Sequence, residues 1–172
     1  MALLSNFDIK EICNFLELPL VGVMMKDKLP PKKNAPIGYY VINMQSSTDE
    51  GNGSHWTLLC NIPDRRFYFD SFAFGPPQLV EKWIAGEAKQ GKPRKDKYFI
   101  NSTRLQYENS EFCGWYCIAV MYFTYYYTPS GNSNIETRIN SFNRYYNKKD
   151  FKGNYKKMTK FFNSIYKMHS KI

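Results

Sequence analysis

Histidine and cysteine are scarce in this 172-residue chain, with two and four copies, and neither is spaced to hold a metal. Cys13, Cys60, Cys113 and Cys117 include no Cys-x-x-Cys pair, and the last two stand one helical turn apart, so no zinc site is expected and the thiols read as reduced. Long apolar runs are missing as well. The longest uncharged apolar run, 112–127, has 16 residues and falls short of the roughly 20 that span a bilayer. Pro129 and Gly131 follow it, so no membrane segment is expected. Residues 1–4 lack the basic-then-apolar pattern of a secretory signal, so export by that route is not expected. Acid is in deficit too: 24 Lys and Arg against 15 Asp and Glu give a net charge of +9.

What is present is apolar and aromatic side chain, at 43% hydrophobic and 17% aromatic residues. That content in one chain of this length predicts a single globular domain over residues 1–172. The charge excess is uneven, with eight Lys and one Asp from Asn147 to Ile172. Two readings of it stand side by side: a basic surface that attracts nucleic acid, and the Asn, Lys, Tyr, Phe and Ile bias of an AT-rich coding sequence.

The charge-free run reads as a helix apolar on every side, which belongs at the centre of a domain. Ser110 and Glu111 stand where a cap and an early negative charge would serve it, which puts Cys113 in the first turn. A thiol there faces unpaired N–H groups and the positive end of the dipole, and these favour a thiolate nucleophile. The bland alternative is a packing cysteine, the commoner fate of a free thiol. Cys117, one turn further in, reads as core.

Upstream, Phe7, Ile9, Ile12, Phe15 and Leu16 predict a helix over 5–18, with Ser5 and Asp8 as its cap and Pro19 as its end. An apolar run over 20–25 leads into a polar, proline-bearing connector, and 38–45 is rich in strand formers. After a Gly- and Ser-rich loop over 46–54, the segments 55–62 and 65–72 read as a hairpin about Pro63 and Asp64. In that register Ile62 pairs with Arg65 and Asp70 lies opposite Thr57, so His55 and Asp70 are diagonal neighbours on one face, Cα atoms about 7 to 8 Å apart. A carboxylate reaches an imidazole from there. A short helix over 79–88, a basic loop over 89–97, a strand over 98–102, a turn over 128–134 and two amphipathic helices over 135–146 and 154–168 complete the reading.

His55, Asp70 and Cys113 supply the base, orienting acid and nucleophile of a cysteine hydrolase, and Gln106 offers an amide that can join the Cys113 N–H in an oxyanion hole. Alone, each has an ordinary reading: His55 as a structural histidine, Asp70 as a strand end, Gln106 as a loop residue. His169, in the lysine-rich tail, is assigned no part. The order Gly53-Ser54-His55-Trp56, then Tyr68-Phe69-Asp70-Ser71-Phe72, then Gln106 separated by six residues from Cys113-Gly114, resembles the adenovirus protease family and the wider group that includes the ubiquitin-like-protein proteases. Leu29-Pro30 and Tyr39-Tyr40-Val41-Ile42-Asn43 are similar to the versions in virophages, Polinton-like elements and large DNA viruses. The likeness covers about residues 3–130; 134–172 match no pattern.

The resemblance implies an α+β, papain-like core of adenovirus-protease type, a mixed sheet packed on a central helix that begins at the nucleophile. It implies a His55-Asp70-Cys113 triad, Gln106 in the oxyanion hole, Trp56 packed beside the histidine and Gly114 leaving room for the substrate carbonyl. The activity it implies is cleavage near Gly-Gly or Gly-x, in a monomeric protease maturing capsid or other virion proteins. It would work in the virion, and before assembly in the host cytoplasm or virus factory. No metal or cofactor is implied, with double-stranded DNA as an activator. One departure stands out: no cysteine lies between Cys60 and Cys113, where the adenovirus enzyme takes its activating peptide by a disulfide. Other readings are a deconjugase of ubiquitin-like modifiers, an acyltransferase with the same His-acid-Cys order, and a basic DNA-binding or scaffold protein on an inactive protease fold.

Overall fold

Ser5 and Asp8 start the first helix as their spacing predicts. The computed structural model describes residues 2–51, 53–86, 98–107, 109–127 and 134–170, and in it α1 spans Asn6–Phe15. Ser5 Oγ accepts from the Asp8 N–H at 3.2 Å while the Ser5 N–H donates to Asp8 Oδ2 at 2.7 Å, so two otherwise unpaired helix-start donors are satisfied. Strand β1, Leu20–Met25, follows, and the proline-bearing connector makes two short 3₁₀ turns, Lys26–Lys28 and Lys32–Asn34. Then come β2 Tyr39–Asn43, β3 Trp56–Cys60, β4 Phe67–Phe69, α2 Gln78–Ala85 and β5 Phe99–Ile100. Three helices close the chain: α3 Cys113–Tyr126, α4 Ile135–Tyr145 and α5 Phe151–His169. The expected basic loop over 89–97, the end of the helix expected over 79–88 and most of the turn over 128–134 lie outside the described residues.

The fold is α+β, with one mixed sheet in the order β1-β2-β3-β4-β5. Its outer pairs, β1 with β2 and β4 with β5, are parallel, and the two inner pairs are antiparallel. The hairpin register is the expected one, with Leu58 opposite Phe69 and Cys60 opposite Phe67. Asp64 takes φ 61° at its tip, a left-handed conformation that Asp tolerates better than most side chains. The paired part of β4 is shorter than the sequence predicts, three residues against eight.

Alternation along the strands gives the sheet two buried faces. Tyr39, Val41, Leu58, Phe67 and Phe69 turn to one side and join α3, α1, α4 and α5 in one core that runs from Leu4 to Ile165. Tyr40, Ile42, Leu59 and Tyr68 turn to the other and pack on Val80, Trp83 and Ile84 of α2. Ile118 through Met121 are fully buried, as the absence of charge requires. The cap expected at Ser110 and Glu111 does not form: Phe112 is the N-cap residue and α3 starts with no side-chain cap. Ser110 instead closes a turn, its N–H donating to the Tyr107 carbonyl and its carbonyl accepting from Gln106 Nε2, which holds it out of the helix.

Ser5→Ala removes the α1 cap and should cost about 1 kcal/mol, a fall in Tm of about 2–4 °C. Scanning calorimetry of the variant beside the parent measures it.

Candidate active site

His55 immediately precedes β3 and Asp70 immediately follows β4, so antiparallel pairing brings both to the same end of the sheet. His55 Nε2 meets Asp70 Oδ1 at 2.8 Å. The same carboxylate oxygen accepts the Phe72 N–H at 2.7 Å, and the Asp70 carbonyl accepts from the Ala73 N–H at 2.9 Å and Asn101 Nδ2 at 2.8 Å. Asp70 is therefore fixed at both its side chain and its main chain, with 2% of its surface exposed. A carboxylate only accepts, so Nε2 carries the ring proton and Nδ1 remains for another partner.

A hydrogen bond to Cys113 is among the influences on that ring. The Cys113 thiol, at the start of α3, accepts the Trp56 N–H at 3.5 Å and lines one cleft with His55. Burial is the largest influence on His55 and disfavours its charge; hydrogen bonds to Asp70 and Cys113, with the charges on both, outweigh burial and raise its pKa from 6.5 to about 9. The other three thiols are inert by comparison. Burial pushes Cys13 and Cys60 up to about 12 and raises Cys117 well above the ordinary thiol value, which supports the reading of Cys117 as core.

The cleft has a volume of about 730 Å³. Leu3, Leu4, Met24, Met25 and Trp56 supply apolar wall, while Asn43, Gly53, Ser54 and Ser110 supply polar edge. Gly53 takes φ +97°, and a Cβ there would stand 2.5 Å from Asn43 Nδ2, so glycine is required for the loop to close on β2. Asn43 Oδ1 in turn accepts the N–H groups of Gln45 and Ser54, which fixes both ends of the loop leading to His55.

His55, Asp70 and Cys113 are brought together; Gln106 stands apart from the cleft lining. It is buried in the wall, with Nε2 donating to the Ser110 carbonyl at 3.2 Å, and both its Oε1 and the Ser110 hydroxyl are buried without a hydrogen-bond partner. The ring against His55 is that of Phe72, with centroids 4.6 Å apart, whereas Trp56 was expected there. Trp56 instead donates from Nε1 to the Leu4 carbonyl at 3.0 Å. Beside Gly114 a Cβ would meet Leu4 Cβ at 3.2 Å and Trp56 Cδ1 at 3.4 Å, so this glycine admits the amino-terminal segment. Sequence reasoning missed Phe72 and Leu4. The Asp-x-Phe spacing that lets a main-chain N–H reach back to the Asp70 carboxylate was the available signal for Phe72. Leu4 had none.

Among the described residues there is no group of three or more His, Cys, Asp and Glu arranged to hold a metal, and no helix long and apolar enough to cross a membrane. The arrangement offers an acid-oriented imidazole beside a thiol in an open cleft, together with the uncapped N–H groups at the start of α3, which suit an anion. No protein-family model matches the chain, and no curated protein matches it in sequence.

A pKa raised in the fold means that folded protein holds the imidazolium more tightly than unfolded chain does. That stabilisation is whole below about pH 6.5 and is lost as pH climbs through about 9. The Tm advantage of the parent over His55→Gln should therefore shrink between about pH 6 and about pH 9.5. Thermal melts of the two proteins across that range would show a constant gap if His55 carried no raised pKa.

Proposed function

We propose that the chain is a cysteine endopeptidase with a papain-like core of adenovirus-protease type. The observation that carries the reading is the 2.8 Å His55–Asp70 bond with His55 and Cys113 lining the same cleft. In this reading the reactive form pairs a Cys113 thiolate with a protonated His55. The thiolate attacks the scissile carbonyl carbon, and the oxyanion is met by main-chain N–H groups at the start of α3. His55 gives its proton to the departing amine as the C–N bond breaks, which leaves a thioester on Cys113. Water, losing a proton to His55, then attacks the thioester carbonyl, and the thiolate leaves. Asp70 keeps the ring in the one tautomer and orientation that serve both steps.

Small residues fit beside the thiol, because Trp56 and the Leu3–Leu4 segment crowd the cleft where Cys113 opens into it. This agrees with cleavage at Gly-Gly or Gly-x, and the substrates in this reading are capsid or other virion proteins, matured inside the particle. Duplex DNA is the activator it implies. Helix α5 supports that part: Lys152, Lys156, Lys160 and Lys167 are exposed, three of them at successive i, i+4 steps, and no Asp or Glu occurs from 151 to 170.

A Gly-containing peptide library, incubated with the protein and with Cys113→Ala, with and without duplex DNA, tests the activity by mass-spectrometric mapping of new termini. Expected are cuts lost in Cys113→Ala and increased by DNA; no cut under either condition removes the peptide-cleaving reading and directs the next trial to a ubiquitin-like modifier with an electrophilic carboxy terminus. On a cleaved peptide, Cys113→Ala and His55→Ala should lose about 10³-fold or more in kcat/KM and Asp70→Ala less, because Asp70 orients without transferring the proton. Equal losses for all three would contradict that division of roles. Lys156→Gln should lower the slope of log affinity for DNA against log salt by about 1, read by fluorescence anisotropy.

A further inference from the structure

The acid of the site is held through Asn101 by a residue of the carboxy-terminal helices, 73 positions further along the chain. Asn101, 1% exposed, uses its whole amide: Nδ2 donates to the Asp70 carbonyl at 2.8 Å and the Thr103 carbonyl at 3.0 Å, and Oδ1 accepts the Thr103 N–H at 3.2 Å and Asn143 Nδ2 at 2.8 Å. Asn143 lies on α4, 4% exposed, and its own Oδ1 is buried without a partner. A buried orphan oxygen is unfavourable, so Asn143 is poorly explained as a self-satisfied core residue. Its one bond points along a line that leads to Asp70. The turn at the end of that line needs support, because Ala73 takes φ 65°, a conformation that a side chain with a Cβ disfavours.

A second bond runs beside the first. Asn154 of α5, fully buried, donates from Nδ2 to the Leu105 carbonyl at 3.0 Å, and the Leu105 N–H donates to the Ser71 carbonyl at 2.8 Å. Segment 101–106 is thus bonded on one side to the turn that carries Asp70 and on the other to the carboxy-terminal helices. An apolar pair at 101 and 143 would fill the same space. What the amides add is fixed geometry, since a hydrogen bond restricts direction where apolar packing does not.

We propose that Asn143 is a positioning residue for the site: through Asn101 it fixes the main chain of Asp70 and so the aim of its carboxylate at His55. The inference rests on reading His55, Asp70 and Cys113 as the catalytic group. Rotation of Asp70 away from the ring would loosen the bond on which His55 depends for its orientation, with no change in the residues that line the cleft.

With two histidines in the chain, each imidazole can be followed by its own ¹³C–¹H signal in NMR titrations of the parent, Asn143→Leu and Ile139→Val, the last a core substitution one turn away on α4. The expected result for Asn143→Leu is a His55 pKa lower by about one unit, His169 unmoved, and a peptide kcat/KM lower by about tenfold with the loss in kcat and not KM. Ile139→Val should lower Tm and leave the His55 titration in place. A stability loss in Asn143→Leu with His55 titrating as in the parent overturns the proposal. Should Asn143→Leu fail to fold, Asn143→Ser, whose donor is too short to reach Asn101, is read by the same criteria. The titration needs no substrate: a parent that cleaves nothing removes the protease reading, while the link from Asn143 to His55 stands or falls on the NMR shift alone.

Discussion

A helix with no charged residue along its 14 positions must be covered on every side, and most of the architecture follows from that need. The inner face of the sheet covers one flank of α3, and α1, α4 and α5 cover the others. Cover this complete leaves only the ends of the helix open. At the amino-terminal end the chain places Cys113, and there the sheet presents the residues just outside its paired strands. The candidate site thus lies at one end of the helix, with the helix dipole and its unpaired donors facing the cleft.

The two core layers divide the labour. The α2 side of the sheet holds a small apolar cluster, whose edge at Met24 also lines the cleft, whereas the α3 side holds the large core. Helices α4 and α5 contribute Ile139, Phe142, Met158, Phe162 and Ile165 to that large core, and their buried asparagines reach the loop before α3. The carboxy-terminal helices are therefore built into the same interior as α1, α3 and the sheet.

How much of this was legible in the sequence depended on range. The Ser5–Asp8 cap acts over three residues, and the Pro63–Asp64 turn sets the register of its two flanking strands, so α1, the hairpin and the His55–Asp70 pairing could be read from local rules. The start of α3 could not. Ser110 has the chemistry of a cap, but Gln106 and Tyr107 bind it into a turn, and that competition between two polar partners is invisible to spacing. Gln106 itself is drawn to a neighbouring carbonyl and stands outside the cleft lining. Asn101, Asn143 and Asn154 bond across 42 and 49 residues, and only the folded chain brings such amides together. Trp56 and Gly114 both meet Leu4, and nothing in the sequence says that residues 2–5 cross the start of α3.

That crossing has an optical consequence. Trp115 donates from Nε1 to the Ala2 carbonyl at 2.8 Å, and Trp56 does the same to Leu4, so two of the three indoles have their N–H bound by the amino-terminal segment. The third, Trp83, is bonded to the Pro30 carbonyl at 2.6 Å on the α2 side of the sheet. Indole emission responds to the polarity and hydrogen bonding around Nε1. The chain therefore carries an intrinsic fluorophore pair that reports whether its first residues lie across the cleft, with a spectator on the opposite face as internal reference.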